Sequence, residues 1–191
     1  MHSKRKTVLS KVLGELTQHK DFREWWVSDE IKVPYFNNQK LTFTFHDFTP
    51  EQDPAFIDEA DIAIKNFLTL NLNDRKAIST LIYQNCLDFL EAVGYDETDE
   101  PLWAIKDDDE IWKYVYPANI YVERRLYKDK EIYIKIACEC EWEQEHGLQL
   151  VLRQGKKLTR VSAQDGHLTD ADAYDKPDEQ DKLLSNFNKE D

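Results

Sequence analysis

Glycine is scarce in this chain, five in 191 residues, and no Gly-rich phosphate-binding pattern occurs. That argues against a loop-dominated protein or a cradle of successive backbone amides around a phosphate. Apolar runs are short as well, and none approaches the ~20 residues that span a bilayer, so no membrane association is expected. The opening MHSKRKTVLSKVLGELTQHK is basic but has no sustained apolar core and no small-residue cleavage site, unlike a secretory signal. Cysteine is limited to three residues, an odd number without a disulfide-framework spacing. This fits a reducing compartment, and a bacterial cytoplasmic location is the default expectation.

Positive charge is also in deficit. Lys and Arg total 25 against 38 Asp and Glu, a net charge of −13. The excess is uneven, since residues 41–117 hold 5 basic and 17 acidic side chains. Nucleic acid needs a basic stripe for its phosphates, so it is excluded as a direct ligand. A basic protein partner is compatible with this charge.

What is present is enough apolar material for one core: 41% hydrophobic residues and 12% aromatic. Leu9, Val12, Leu13 and Leu16 have helical spacing and predict an N-terminal helix over 7–19. Pro34 precedes NNQ, and Leu41, Phe43 and Phe45 alternate with Thr42, Thr44 and His46, which predicts an edge hairpin. His46 then falls on the polar face, as plain surface. Asp53-Pro54 reads as an N-cap and first helical residue, leading a stripe of Phe56, Ala60, Ile64 and Phe67. A second helix runs from Asn73 to a stop at Gly94, burying Ile78, Leu81, Ile82, Asn85, Cys86, Phe89 and Val93. The short link between the two predicts an antiparallel helix pair.

Residues 96–110, DETDEPLWAIKDDDE, form an acidic loop around Trp103. It has no glycine and its acids are clustered, which does not match a calcium-binding loop. From Asn119, four strand-like segments separated by KDK, EQEH and QG predict an antiparallel meander. In NIYVERRLY, Arg124 shares a face with Ile120 and Val122, so it must be paired or snorkel at a strand end. The expected fold class is α+β: a hairpin and a four-stranded meander packed with a helix pair and the N-terminal helix. Residues 1–175 make a single domain, and 176–191 an acidic mobile tail in which Leu183, Leu184 and Phe187 are spaced to dock as one turn.

The segment Cys138–Gly147, CECEWEQEHG, is rich in reactive side chains. In a strand, side chains alternate with period two. One face then reads Ile132, Ile134, Ile136, Cys138, Cys140, Trp142, and the other holds Glu139, Glu141 and Glu143 near solvent. The thiols continue a row of isoleucines and pack as small hydrophobes. A Cys-x-Cys pair in an extended strand is a poor zinc knuckle, even with His146 and His167 added. No metal and no cofactor are expected. Glu145 and His146 sit in one polar turn and Asp165 and His167 in another, and both pairs serve most simply as turn caps.

The stretch from Cys138 to Leu168 resembles the C-terminal signature of an uncharacterised bacterial domain family. The resemblance is carried by a Trp-x-x-Glu-His-Gly-Leu turn through Trp142, Glu145, His146, Gly147 and Leu148, followed by a hairpin with Gly155. It implies an α+β architecture and bacterial origin but no activity. By looser analogy, some similar small acidic proteins are immunity partners of secreted toxins. The expected function is therefore a non-enzymatic protein-binding module, in concrete form an immunity-type inhibitor of a basic toxin domain. Trp103, Asp107, Asp108, Asp109, Glu110 and Trp112 are its expected contact residues. The alternative is a small hydrolase or metal-dependent enzyme using Glu145, His146, Asp165 and His167.

Overall fold

The structure is a computed structural model and describes residues 6–184. Among the described residues, ten strands and five α-helices form an α+β fold. Strands β1 (Thr7–Ser10), β2 (Gly14–Gln18), β3 (Trp26–Val27), β6 (Phe43–Phe45), β7 (Val115–Arg124), β8 (Ile132–Cys140), β9 (Leu148–Arg153) and β10 (Lys157–Ser162) form one sheet, in that spatial order. A small hairpin, β4 (Ile31–Val33) with β5 (Gln39–Leu41), stands apart from it. Every neighbouring pair in the large sheet is antiparallel except β6 with β7. A parallel pair needs a crossover. Here it carries α1 (Phe56–Thr69), α2 (Leu72–Lys76), α3 (Ser79–Val93) and α4 (Glu100–Trp103).

The main core lies between these helices and one face of the sheet. Ile64 and Phe67 from α1, and Ile82, Cys86 and Leu90 from α3, meet Phe43, Phe45, Ile120, Val122, Ile134, Ile136 and Leu150. The β9–β10 turn seats against α1. Asn66 donates to the Gln154 carbonyl at 2.9 Å. A Cβ at Gly155 would lie 2.0 Å from the Ala63 carbonyl oxygen, so only glycine fits that approach. On the opposite face Tyr133 and Val151 pack under Leu168, as residues 163–173 return across β9 and β10 into α5 (Asp170–Ala173). The chain then runs back to the β10 edge, where Val161 N–H donates to the Leu183 carbonyl at 2.7 Å.

The predicted meander is present as β7–β10, and its register puts Ile132, Ile134, Ile136, Cys138, Cys140 and Trp142 in the core. The predicted N-terminal helix is instead the β1–β2 hairpin. Gly14 takes φ +83° in its turn, and the Ser10 hydroxyl accepts from the Leu13 N–H and donates to Asp61 of α1. Those tertiary partners override the helical spacing, and Leu9 is left 72% exposed.

Local sequence signals yield to tertiary partners elsewhere in the chain as well. Asn37 and Asn38, both at positive φ, turn β4 into β5, while Phe43 and Phe45 belong to the other sheet. Helix α1 starts at Phe56 without a side-chain cap, because the Asp53 carboxylate is held by Arg124. The second predicted helix is two helices. An Asn71–Asp74 capping box starts α2, α3 follows from Ser79, and Val93 is exposed rather than buried. Each main helix packs on other elements, α1 on β8 and α3 on the Asp108–Tyr114 turn. Leu184 is partly buried against the core, whereas Phe187 lies outside the described residues.

Candidate functional site

The sheet face away from the helices carries a cluster of charged and aromatic side chains where β6, β7 and β8 meet. The register sets Tyr121 opposite Lys135 and Glu123 opposite Tyr133, so all four share that face. The parallel β6–β7 pairing then brings in His46, whose N–H bonds to the Val122 carbonyl. Its ring stacks on Trp25 at 4.0 Å between centroids and lies 4.4 Å from Tyr121. Glu123 Oε1 is 2.6 Å from Lys135 Nζ and 3.2 Å from His46 Nδ1. Neither contact meets hydrogen-bond geometry at that oxygen, so both are close polar contacts rather than well-directed hydrogen bonds. Burial pushes the Glu123 carboxyl up, but His46 and Lys135 outweigh it and hold it below the usual carboxylate range.

Two cavities open beside this cluster, of about 290 and 410 Å³, and they share Asp47, Glu123, Arg124 and Leu126 as wall. Arg124 is paired with Asp53 at 2.6 Å and Glu59 at 2.7 Å, which settles the alternatives its apolar row left open. Arg125 is more deeply committed. It is 6% exposed and contacts Asp129, Asp172 and Asp178, tying the C-terminal segment to the β7–β8 turn. Burial opposes its charge, yet Asp172 and Asp178 raise its pKa above the usual arginine value.

The two histidine turns meet near the Cys138 end of β8, and Gly166 and His167 lead from there to the larger cavity. Gln164 donates to the Cys138 carbonyl at 3.0 Å, next to Gly147. Their side chains nonetheless have separate partners. His146 Nδ1 is 2.8 Å from Glu143, which also accepts the Glu145 and His146 N–H groups. Glu143 is therefore a buried cap and not the solvent-facing residue expected from strand alternation. Asp165 is bound by Arg160 at 2.6 Å and by Gln149, Glu145 is exposed, and His167 lines the larger cavity. Among the described residues, no hydrogen bond or ion pair joins one pair to the other. Trp142 is buried, donating to Asn85 Oδ1 at 3.2 Å. Trp142 and Glu143 thus anchor the turn to the core.

This chain matches the family described as Domain of unknown function (DUF6985) over residues 12–168. It belongs to that family. No curated protein and no solved structure matches it. The DUF6985 match takes in the His46–Glu123–Lys135 cluster and Arg125, while β1 and the segment carrying Asp172 and Asp178 lie outside it.

The thiols of this DUF6985 chain face the core as expected, and burial pushes Cys86 and Cys140 up to about 12 and raises Cys138 as well. Among the described residues, no group of three or more His, Cys, Asp or Glu is placed to hold a metal ion. The acidic segment is bonded inward. Asp107 caps a 3-10 turn through the Asp109 N–H, Asp108 accepts from Thr80, and Asp109 accepts from Ser79 and pairs with Lys76 at 2.6 Å. Lys76 and Ser79 hold the Asp109 carboxyl below its usual range. Glu110 pairs with Lys113. Trp103 and Trp112 are half-buried against the core, and Trp112 donates to Ser79 under the Arg75 guanidinium.

The sequence reading missed His46, Glu123 and Lys135 as a unit, and took His46 for plain surface. Strand parity could have aligned Tyr121 with Glu123 and Tyr133 with Lys135, and a lysine inside IYIKIAC was a visible signal. The contribution of His46 depends on a parallel pairing across the whole helical crossover, which no local pattern encodes.

Proposed function

We propose that the protein is a non-enzymatic module that binds a basic protein through an acidic, aromatic surface at the C-terminal end of α3. The observation that carries this reading is the stretch between Lys76 and Lys106. It holds Asp88, Glu91, Asp96, Glu97, Asp99 and Glu100 and no lysine or arginine. Residues 91–98 are all exposed, and Val93 and Tyr95 stand 61% and 69% exposed among the acids. Charge of one sign speeds encounter with a basic surface, and an exposed tyrosine beside an apolar residue supplies an anchor. Asp108 and Asp109 are spent on Thr80, Ser79 and Lys76, so residues 103–112 act as the wall that supports this surface. An immunity-type inhibitor of a basic toxin domain, working in a bacterial cytoplasm, is the most concrete form of the proposal.

The test is affinity capture from source cells with wild type and with Glu91→Lys/Glu97→Lys/Glu100→Lys. All three residues are exposed, so far-UV circular dichroism and thermal midpoint should stay unchanged. Wild type should retain a basic protein in a salt-sensitive manner, and the variant should lose it. Equal capture of that protein by the charge-reversed variant would refute the surface assigned here.

A further inference from the structure

The segment that follows the family match sits on the rest of the chain much as a ligand would. Arg125 lies within the matched residues and is 6% exposed. Of the side chains that its guanidinium contacts, only Asp129 lies there too. Thr169, Asp172 and Asp178 all come from beyond residue 168. A guanidinium this deeply buried needs its counter-ions, so the matched region presents a seat that an added acidic segment completes.

That segment has two parts. Thr169, Asp170 and Ala171 are buried at the start of α5. Asp175, at φ +51°, then turns the chain outward, and none of residues 174–184 is fully buried. Their attachment is by points. Asp178 meets Arg125 at 2.6 Å and Lys128 at 3.3 Å, and Asp181 accepts the Ala171 N–H at 2.9 Å. Leu183 accepts the Val161 N–H at 2.7 Å, beside a parallel bridge between Val161 and Leu184. This last contact is strand addition at the edge of β10.

The fit is incomplete. A cavity of about 360 Å³ remains, lined by Arg153 and Lys157 from the sheet and by Asp181, Lys182 and Leu183 from the segment. Well-packed protein contacts leave few such voids. Lys182 adds like charge beside Lys157 and Arg153, and neither lysine has a side-chain partner among the described residues. Like charge opposes this occupant, whereas an acid at the same position would be matched.

We infer that residues 174–184 are a displaceable strap, standing in for an acidic, extended peptide of a partner that the Arg125 seat and the β10 edge bind by strand addition. The fitting peptide has carboxylates at the positions of Asp178 and Asp181 and an aliphatic pair at those of Leu183 and Leu184. A carboxylate in place of Lys182 makes it a better occupant than the strap itself. This seat uses none of the residues of the α3 surface proposed above, and neither depends on the other.

Fluorescence anisotropy with a labelled peptide of residues 174–184 tests this on the full chain, as wild type and as Asp178→Lys/Asp181→Lys. Both substitutions lie in the strap, and Arg125 keeps Asp129 and Asp172, so circular dichroism should not change. In wild type the tethered strap competes at an effective concentration on the order of millimolar. The variant should therefore bind the peptide at least about tenfold more tightly than wild type. Its Val161 amide should also lose protection from hydrogen exchange. An Asp178→Asn/Asp181→Asn peptide should bind about tenfold more weakly, through loss of charge-assisted contacts, and a Lys182→Glu peptide more tightly than the native sequence. Equal affinity of the two proteins, a Val161 amide still protected in the variant, or equal binding of a scrambled peptide would overturn the strap. A Lys182→Glu peptide that binds no more tightly would overturn the role given to the cavity. Wild-type dimers that the peptide dissociates would overturn the separate partner, giving the seat to the strap of a second copy.

Discussion

Removing Lys135 isolates the energetics of the cluster on the open sheet face. Its ammonium is 2.6 Å from Glu123 Oε1, and the two side chains are 10% and 15% exposed. At an effective dielectric near 20, a pair at this distance attracts by roughly 6 kcal/mol before desolvation is subtracted. Desolvation cancels much of that, but removing one partner strands the other charge. Lys135→Met leaves Glu123 with only His46 Nδ1 at 3.2 Å as compensation. A loss of about 3 kcal/mol is expected, at the lower edge of values for broken buried pairs because Glu123 keeps some contact with water. For a chain of this size that is roughly a 6–12 °C drop in Tm. Glu123→Leu should cost about as much by stranding Lys135, less whatever the lysine recovers by snorkelling. The double variant removes both charges and strands only His46 Nδ1, so it should lie within about 1–2 kcal/mol of wild type. Urea unfolding followed by tryptophan fluorescence and circular dichroism measures all four proteins. Coupling of about 2 kcal/mol or more is the expected outcome, and single effects that add to within about 0.5 kcal/mol would mean that Glu123 and Lys135 do not act as a buried pair.

Gly155→Ala should destabilise by more than about 3 kcal/mol, because its Cβ would meet the Ala63 carbonyl oxygen at 2.0 Å. Gly94→Ala meets open space and only the backbone strain of φ +91°, so it should cost less, about 1–3 kcal/mol, and thermal melts that fail to rank the two in that order would contradict the packing described. Arg125 holds the Asp178 carboxyl below its usual range, and Asp129 is lowered too, since the Glu131 N–H, Tyr133 and Arg125 outweigh its burial. Groups lowered in the folded state stabilise above their unfolded pKa and lose that contribution as pH falls, so stability should decline from about pH 5 to about pH 2. Arg125→Met should lower stability at pH 7 by about 2 kcal/mol, discounted because Asp178 is 45% exposed, and should flatten the acid limb. An acid limb as steep as that of wild type would count against the clasp.

Where a pattern was set by strand alternation, it was readable in advance. The meander and the buried row from Ile132 to Trp142 follow from period-two alternation with short links, whereas the buried Glu143 lies past the end of the strand, where alternation no longer applies. The N-terminal hairpin was not readable. Leu9, Val12, Leu13 and Leu16 suit a helix equally well, and the decision rests on Gly14 at positive φ and on Ser10 meeting Asp61 from a distant helix. The acidic segment shows the same limit from the other side. Composition marked residues 107–110 as charge available to a partner, but charge density cannot show that Thr80, Ser79, Lys76 and Lys113 have already engaged it. The site beside Glu123 was least legible, because its members come from strands joined by a parallel pairing with a helical crossover between them.

On the proposed reading, the negative charge open to a partner lies at the end of α3 and not in the neighbouring aspartate run. Zero-length carbodiimide coupling to an oligolysine peptide, mapped by mass spectrometry, reports which carboxylates meet a basic partner. Crosslinks should concentrate on Glu91, Glu97 and Glu100, which have no side-chain partner among the described residues, and should be sparse at Asp108 and Asp109. Crosslinks that favour Asp108 and Asp109, or that spread evenly over both segments, would contradict it.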